Sequence, residues 1–315
     1  MKKLFPIIVL FSILAGSCTK EYQNPTQPAN TTGTDDNGGG IGGGGGNGGG
    51  GGSTIGAPPS TFTQKVLIEE FTGEWCGYCP DGAIRLEEAI NANPDKVYGA
   101  SVHNADPFTI PFDAVIEVSP GGFLNNTYGF PGGAVNRLPY NGSAVMDRGV
   151  WGSVASSLLA TSTAECGLAL SSYTAGTDSL YVEVHCGFNT TLAGDYRVTV
   201  YLEEDGVPAI SQSNYYNDGS IDPNSPLVGI GDPITTWFHD EVVRSVLTAG
   251  LGDAIPASKL VPGGEYIVTY GTTITGFNKD NLKITAFVNK AGTDPLTHEI
   301  MNVQQSALSV IKDWD

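Results

Sequence analysis

The chain has 315 residues, with 33 acidic and 15 basic side chains, giving a formal charge of −18. That balance argues against a nucleic-acid partner, because phosphate backbones need Lys and Arg, and against electrostatic attachment to anionic lipid headgroups. Hydrophobic residues make up 40%, enough for a sizeable core, and five cysteines make the redox compartment the first question.

The N-terminus addresses it. Met1-Lys2-Lys3 is basic, and Leu4 to Leu14 is apolar apart from Ser12 and the break at Pro6. Ala15-Gly16-Ser17 are small, and Cys18 follows. Residues 1–17 therefore read as a secretory signal, too short for a permanent span of about 20 residues. A small-residue run ending in cysteine resembles a bacterial lipobox, with Leu14 one position outside the usual leucine site. The resemblance implies lipidation of Cys18 and removal of residues 1–17, so that acyl chains hold the protein to a membrane. An ordinary signal cleaved nearby is the plainer alternative.

Residues 18–60 read as a flexible tether. Gly38 to Gly52 is glycine except for Ile41 and Asn47, and such a stretch buries too little surface to offset its ordering entropy. A coil of roughly 40 residues has a reach of about 35 Å. A phosphate loop is excluded, since no strand precedes the run and no Gly-Lys-Ser/Thr closes it.

Order is expected from about Phe62. Val66-Leu67-Ile68 with Phe71 reads as a buried strand. Ala83, Ile84, Leu86, Ala89 and Ile90 then recur at helical spacing between Pro80 and Asn93. Val97 to Val102 is a second strand, and strand–helix–strand is a crossover unit of an α/β domain. Residues 104–148 are loop-rich, and Gly149 to Ser162 reads as a closing helix. Beyond Ala164 the spacing alternates over 166–173, 179–188 and 196–203, then over 266–274, 282–289 and 296–308. Asp240 to Ala249 reads as a short helix. The expected fold is an α/β domain over 61–163, then an all-β, immunoglobulin-like sandwich over 164–315.

The chemistry centres on Glu74-Trp75-Cys76-Gly77-Tyr78-Cys79-Pro80. Two cysteines three apart at a strand-to-helix junction can close a small disulfide. The first sulfur then sits at a helix N-terminus, where unpaired N–H groups and the dipole favour thiolate. Spacing makes Cys76 the attacking sulfur and Cys79 the resolving one. Pro80 lacks an N–H, which costs nothing in the first helical turn. Zinc binding would need two more ligands at metal-like spacing, and Cys166 and Cys186 lie twenty apart on predicted strands. A purely structural disulfide is the stronger alternative. Glu69, Glu70, Glu74, Asp81, Glu87 and Glu88 surround the pair against Arg85 alone, a field that opposes thiolate and does not suggest a strong oxidant.

This segment, with Val66 to Phe71 before it, resembles the active site of thioredoxin-fold proteins. The resemblance makes Glu70, six positions before Cys76, a buried proton relay. It makes Trp75 the aromatic at the pair's edge. Pro131, in Phe130-Pro131-Gly132-Gly133, becomes the cis-proline that helps seat a client strand. The chain as a whole resembles the family of outer-membrane lipoproteins related to a 28-kDa outer-membrane protein of Bacteroidetes-type bacteria. The resemblance rests on Glu70 to Pro80, His103-Asn104 with Asp106-Pro107-Phe108, Phe130-Pro131 through Arg137, and Trp237-Phe238-His239 with Val243-Arg244. It implies a thioredoxin-like domain followed by a β-sandwich on a lipid anchor, without implying a reaction.

Other polar residues have plainer readings. His103, at a strand's carboxyl end, either serves the cysteine pair or orders a loop. Arg137 reads as a buried partner for a carboxylate, and His239 and Arg244 as structural hydrogen bonders. Cys166 and Cys186 are expected to lie opposite each other across a turn near Gly176, where a cross-strand disulfide is geometrically possible and facing core thiols are the alternative. The function expected is thiol–disulfide exchange with extracytoplasmic protein thiols or disulfides, without metal or organic cofactor. A non-enzymatic surface module stapled by Cys76–Cys79 is the alternative.

Overall fold

The computed structural model describes residues 55–111 and 129–315. The signal, Cys18 and most of the tether lie outside the described residues. Packing begins before Phe62, since Trp314 Nε1 donates to the Gly56 carbonyl at 2.8 Å.

Strand β1 (Val66–Thr72) is buried at every position. Helix α1 (Cys79–Ala92) follows, then β2 (Val97–His103), which runs parallel to β1 in the register Val66↔Val97. Strand β3 (Gly132–Val135) pairs antiparallel with the other edge of β1, Glu70 opposite Gly133, and β4 (Met146–Asp147) pairs with β3. Helix α2 (Trp151–Thr161) closes this half. Val66, Ile68 and Val97 meet Leu86, Ala89, Trp151 and Ala155 in one cluster, so both helices cover the same face. A Cβ at Gly133 would come within 2.5 Å of the Trp151 ring, so glycine is what lets the indole lie flat on β3.

Strands β5 (Cys166–Ala175) and β6 (Ser179–Phe188) form a hairpin. Next come β7 (Tyr196–Glu204) and the short β8 (Val207–Pro208) and β9 (Phe238–His239). Strands β10 (Val242–Val246), β11 (Asp253–Ala254), β12 (Glu265–Thr273), β13 (Leu282–Lys290) and β14 (Ile300–Ala307) complete the order. β12 joins β6 and β5 in a three-stranded sheet. This sheet faces β7 and β13 across a core that includes Leu168, Val184, Phe188, Val200 and Ile284.

The other sheet runs β14-β13-β7-β10-β2-β1-β3-β4, with β11 added at β7. It passes from the all-β half into the α/β half without interruption, and β10 makes the join. Val242 pairs parallel with Ser101 of β2 and antiparallel with Glu204 of β7. The helix expected over 240–249 is therefore corrected to a strand. β-Branched Val242, Val243 and Val246 suit a pleated surface, and edges offered by β2 and β7 on both sides satisfy a backbone that a short helix would otherwise have had to satisfy alone. A second cluster, with Leu67, Phe71, Tyr201 and Phe287, ties β1 to β7 and β13.

The expected opposition of Cys166 and Cys186 is also corrected. The register places Cys166 against Phe188 and Cys186 against Leu168, and both cysteines are free, buried thiols. The hairpin turn sits one residue later than a symmetric pairing of the two requires. Both sulfurs still enter the same core, where burial pushes their pKa values up. Among the described residues, no helix is long and apolar enough to cross a membrane.

Candidate functional site

The site sits where β1 turns into α1. Cys76 N donates to the Gly73 carbonyl at 3.0 Å and Cys79 N to the Cys76 carbonyl at 3.1 Å. This tight turn brings the two Cα atoms to 5.4 Å, and Cys76 and Cys79 form a disulfide. Pro80 occupies the first turn of α1 and no side chain caps the helix, so its free N–H groups are left to the loop that carries the sulfurs. Cys76 is 4% and Cys79 2% exposed.

A strand buried on both faces should be apolar throughout, yet β1 carries two glutamates, Glu69 and Glu70, one aimed at each face. On one side Arg137 clamps Glu69 through two bonds, Nε to Oε2 at 2.6 Å and Nη2 to Oε1 at 2.7 Å, and Tyr201 Oη donates to Oε1 at 2.8 Å. Arg137 is thus the buried carboxylate partner its sequence context suggests. On the other side Glu70 lies beneath α1 with no ion pair among the described residues. Ser101 Oγ donates to Oε2 at 3.4 Å, and Oε1 has no hydrogen-bond partner among the described residues. A Cβ at Gly82, one turn past Cys79, would stand 2.5 Å from that oxygen and 2.8 Å from Pro131 Cβ. Glu70 and Pro131 therefore meet directly under the helix's first turn. Burial raises the Glu70 pKa to about 8. Glu70 also lines a cleft of about 410 Å³, with Ser101, Leu86, Trp237 and Glu241, beside α1.

The Phe130–Pro131 peptide bond is cis and leads directly into β3. Trp75 crosses Phe130 edge-on at 5.1 Å and donates from Nε1 to the Asn104 carbonyl at 2.7 Å. The acidic surroundings are less one-sided than local sequence suggests. Arg148, 67 residues away, donates to Asp81 at 2.5 Å, and Arg137 neutralises Glu69.

Beside the loop lies a second polar group. His103 Nδ1 is 2.6 Å from Asp106, whose other oxygen accepts from Phe108 N at 2.9 Å, so this histidine orders the loop after β2. Asp106 also accepts from Glu74 N at 3.0 Å. The His239 ring stands edge-on to His103 at 4.7 Å, with Nε2 3.6 Å from Glu74 Oε1. Burial, then the neighbouring His103, lowers the His239 pKa to about 3, which keeps the ring neutral. Arg244 pairs with Glu204 at 3.4 Å and lies over the Phe277 ring. Among the described residues, no three or more of His, Cys, Asp and Glu are arranged to hold a metal.

Sequence reasoning missed the segment that covers this loop. Between β8 and β9 the chain makes an excursion, and Ile210 to Tyr215 crosses the cysteine turn. Ser213 N donates to the Glu74 carbonyl at 2.7 Å and Tyr215 N to the Gly77 carbonyl at 2.9 Å. Gln212 Nε2 donates to the Cys76 carbonyl at 3.2 Å, and Ile210 N to Glu74 Oε1 at 2.6 Å. Tyr78 meets the Tyr215 ring edge-on at 5.2 Å. The bonds are largely to backbone, so no side-chain pattern announces them.

Comparison with known proteins places this architecture. The family described as outer membrane protein Omp28 matches residues 124–312, a stretch that begins after the cysteine pair. No curated protein sequence matches. HBP35 of Porphyromonas gingivalis is similar in structure, with a TM-score of 0.60 and 22% identity over 80% of this chain and 78% of that one. A protein of Agrobacterium tumefaciens gives a TM-score of 0.46 at 16% identity, over 79% of this chain and 96% of its own. A domain of the outer membrane lipoprotein Omp28 from Porphyromonas gingivalis gives 0.27 at 17% identity, over 48% and 92%. With the match to residues 124–312 spanning more than half of its length, the chain belongs to the Omp28 family of outer membrane proteins.

Proposed function

We propose that this protein exchanges thiols and disulfides with extracytoplasmic proteins from a lipid anchor at Cys18 in the outer membrane, using a thioredoxin-like site. The observation that carries the reading is Glu70: a buried carboxyl with one oxygen unpartnered among the described residues, one helical turn from the cysteine pair. A permanent staple has no use for such a group, since an unsatisfied buried polar atom costs about 1–3 kcal/mol. A disulfide that opens needs a proton source for the sulfur it releases.

From the oxidised form, a client thiolate attacks Cys76 Sγ. The Cys76–Cys79 bond breaks, and the departing Cys79 thiolate takes the proton that Glu70 holds below pH 8. The client's second thiolate then attacks its own sulfur in the mixed disulfide, and Cys76 leaves as a thiolate. Two electrons pass from the client dithiol to the protein. Run in reverse, Cys76 attacks a client disulfide, Glu70 takes the Cys79 proton, and Cys79 resolves the intermediate. Pro131, against the same helical turn, helps seat the client strand beside the pair.

The near-complete burial of both cysteines favours a second reading, a non-enzymatic surface module with a structural disulfide. Equilibration with glutathione buffers separates the two. Exchange predicts a potential between about −120 and −270 mV, whereas a staple lies below about −300 mV. A value in the lower range would end the exchange reading.

A further inference from the structure

We infer that Ile210 to Tyr215 is an internal occupant of the client groove, and that the groove takes an extended polypeptide backbone in its place. The inference rests on the exchange reading above. Carbonyls of Glu74, Cys76 and Gly77 project from the cysteine turn as a row of acceptors, and the segment answers each with a donor. Ser213 N and Tyr215 N, two residues apart, are spaced as on one edge of an extended strand. This is recognition by added-strand pairing, in which backbone bonds supply affinity and any extended chain qualifies. The Tyr215 ring sits over Gly77, where a Cβ would collide with it, so the glycine between the cysteines opens a slot that the occupant fills.

The segment is built as a lid rather than as part of the core. Its excursion, Ala209 to Trp237, leaves and returns through the two-residue ladder Val207↔His239 and Pro208↔Phe238. It carries a small cluster of its own, Tyr216, Leu227 and Ile234, against Ile84 of α1. Asn214 fastens it internally, donating to the Leu227 and Gly231 carbonyls. A unit with its own contacts and a narrow neck opens locally without unfolding the sheets. Ile210 is 71% exposed and meets the site through its N–H, which donates to Glu74 Oε1. The occupant thus holds the turn's carbonyls through two backbone N–H groups and the Gln212 amide, and a client displaces it with N–H donors of its own. Closed, it reduces the reactive fraction in proportion to its population.

The test is the rate at which dithiothreitol reduces Cys76–Cys79 in the full chain, read by quenching and mass spectrometry of alkylated Cys76. Ser213→Pro and Tyr215→Pro each delete one donating N–H and are expected to speed reduction at least tenfold with melting temperature nearly unchanged. A synthetic peptide of residues 209–217 is expected to slow the Tyr215→Pro variant back toward the parent rate. Should a proline variant fail to fold, Gln212→Ala reads the Cys76 carbonyl contact alone, with at least a threefold increase expected. Unchanged rates in the folded variants, or a peptide without effect, overturn the inference. Dithiothreitol needs no client groove, so a confirmed lid on a protein inert to every protein disulfide would remove the exchange reading and leave the lid standing.

Discussion

Replacing Glu70 by Gln tests the buried acid through stability. In the folded chain the carboxyl titrates at about 8 instead of 4.5. Between those values the native state holds a proton that the unfolded chain has released. Native stability therefore falls as pH rises from 4.5 to 8 and levels off above. At about 1.4 kcal/mol per pH unit, the full penalty is at most ~5 kcal/mol by pH 9. Gln keeps the shape and the Ser101 contact and does not titrate. The stability difference between Glu70→Gln and the parent should therefore be nearly constant below pH 4.5 and grow in the variant's favour by a few kcal/mol toward pH 8. Urea denaturation with the disulfide intact, at pH 4, 6, 7.5 and 9, measures it. All other titrating groups are shared, so they cancel in the comparison. A difference that stays flat across this range would refute a carboxyl held protonated by burial.

Three further outcomes are expected. Arg137→Met should destabilise the protein by about 3–5 kcal/mol, because it strands Glu69 as a buried charge; adding Glu69→Gln should recover much of that loss in the same denaturation assay. His239, with its pKa lowered to about 3, is neutral when folded and binds a proton when unfolded. Stability should then fall as pH drops from 6.5 toward 3, and His239→Asn should flatten that part of the melting-temperature profile. Cys166 and Cys186, buried with raised pKa values, should resist a maleimide in the native protein and react once denaturant is added, as read by peptide mapping.

The legible parts of this molecule are those whose cause is local. Helix α1 follows from the Ala83, Leu86, Ala89 spacing with Pro80 in its first turn, and β1 and β2 from short apolar runs. The meeting of Glu70 and Pro131 is not legible from spacing, because it depends on β3 folding back onto β1. The parts missed have distant causes. Val242 to Val246 lies within a stretch, 240–249, that reads as a short helix, and β2 and β7, far away along the chain, make it a strand. Asp81 has only Arg85, four residues on, as a local cation, and Arg148, three residues before α2, joins it in the fold. Ser211-Gln212-Ser213-Asn214 reads as an ordinary polar loop, since the groups that matter there are mostly main-chain N–H donors that every sequence carries.

The exchange step itself is tested most directly by leaving its first intermediate with no way out. In a Cys79→Ala variant, Cys76 attacks but nothing within the protein resolves the product. Expressed in the envelope and recovered after acid quenching, this variant should carry client proteins joined through Cys76, released by reductant and absent from the Cys76→Ser, Cys79→Ala double variant. Recovery of the bare chain alone, both from Cys79→Ala and from Cys79→Ala combined with the lid substitution Tyr215→Pro, would contradict the account and leave Cys76–Cys79 as a staple.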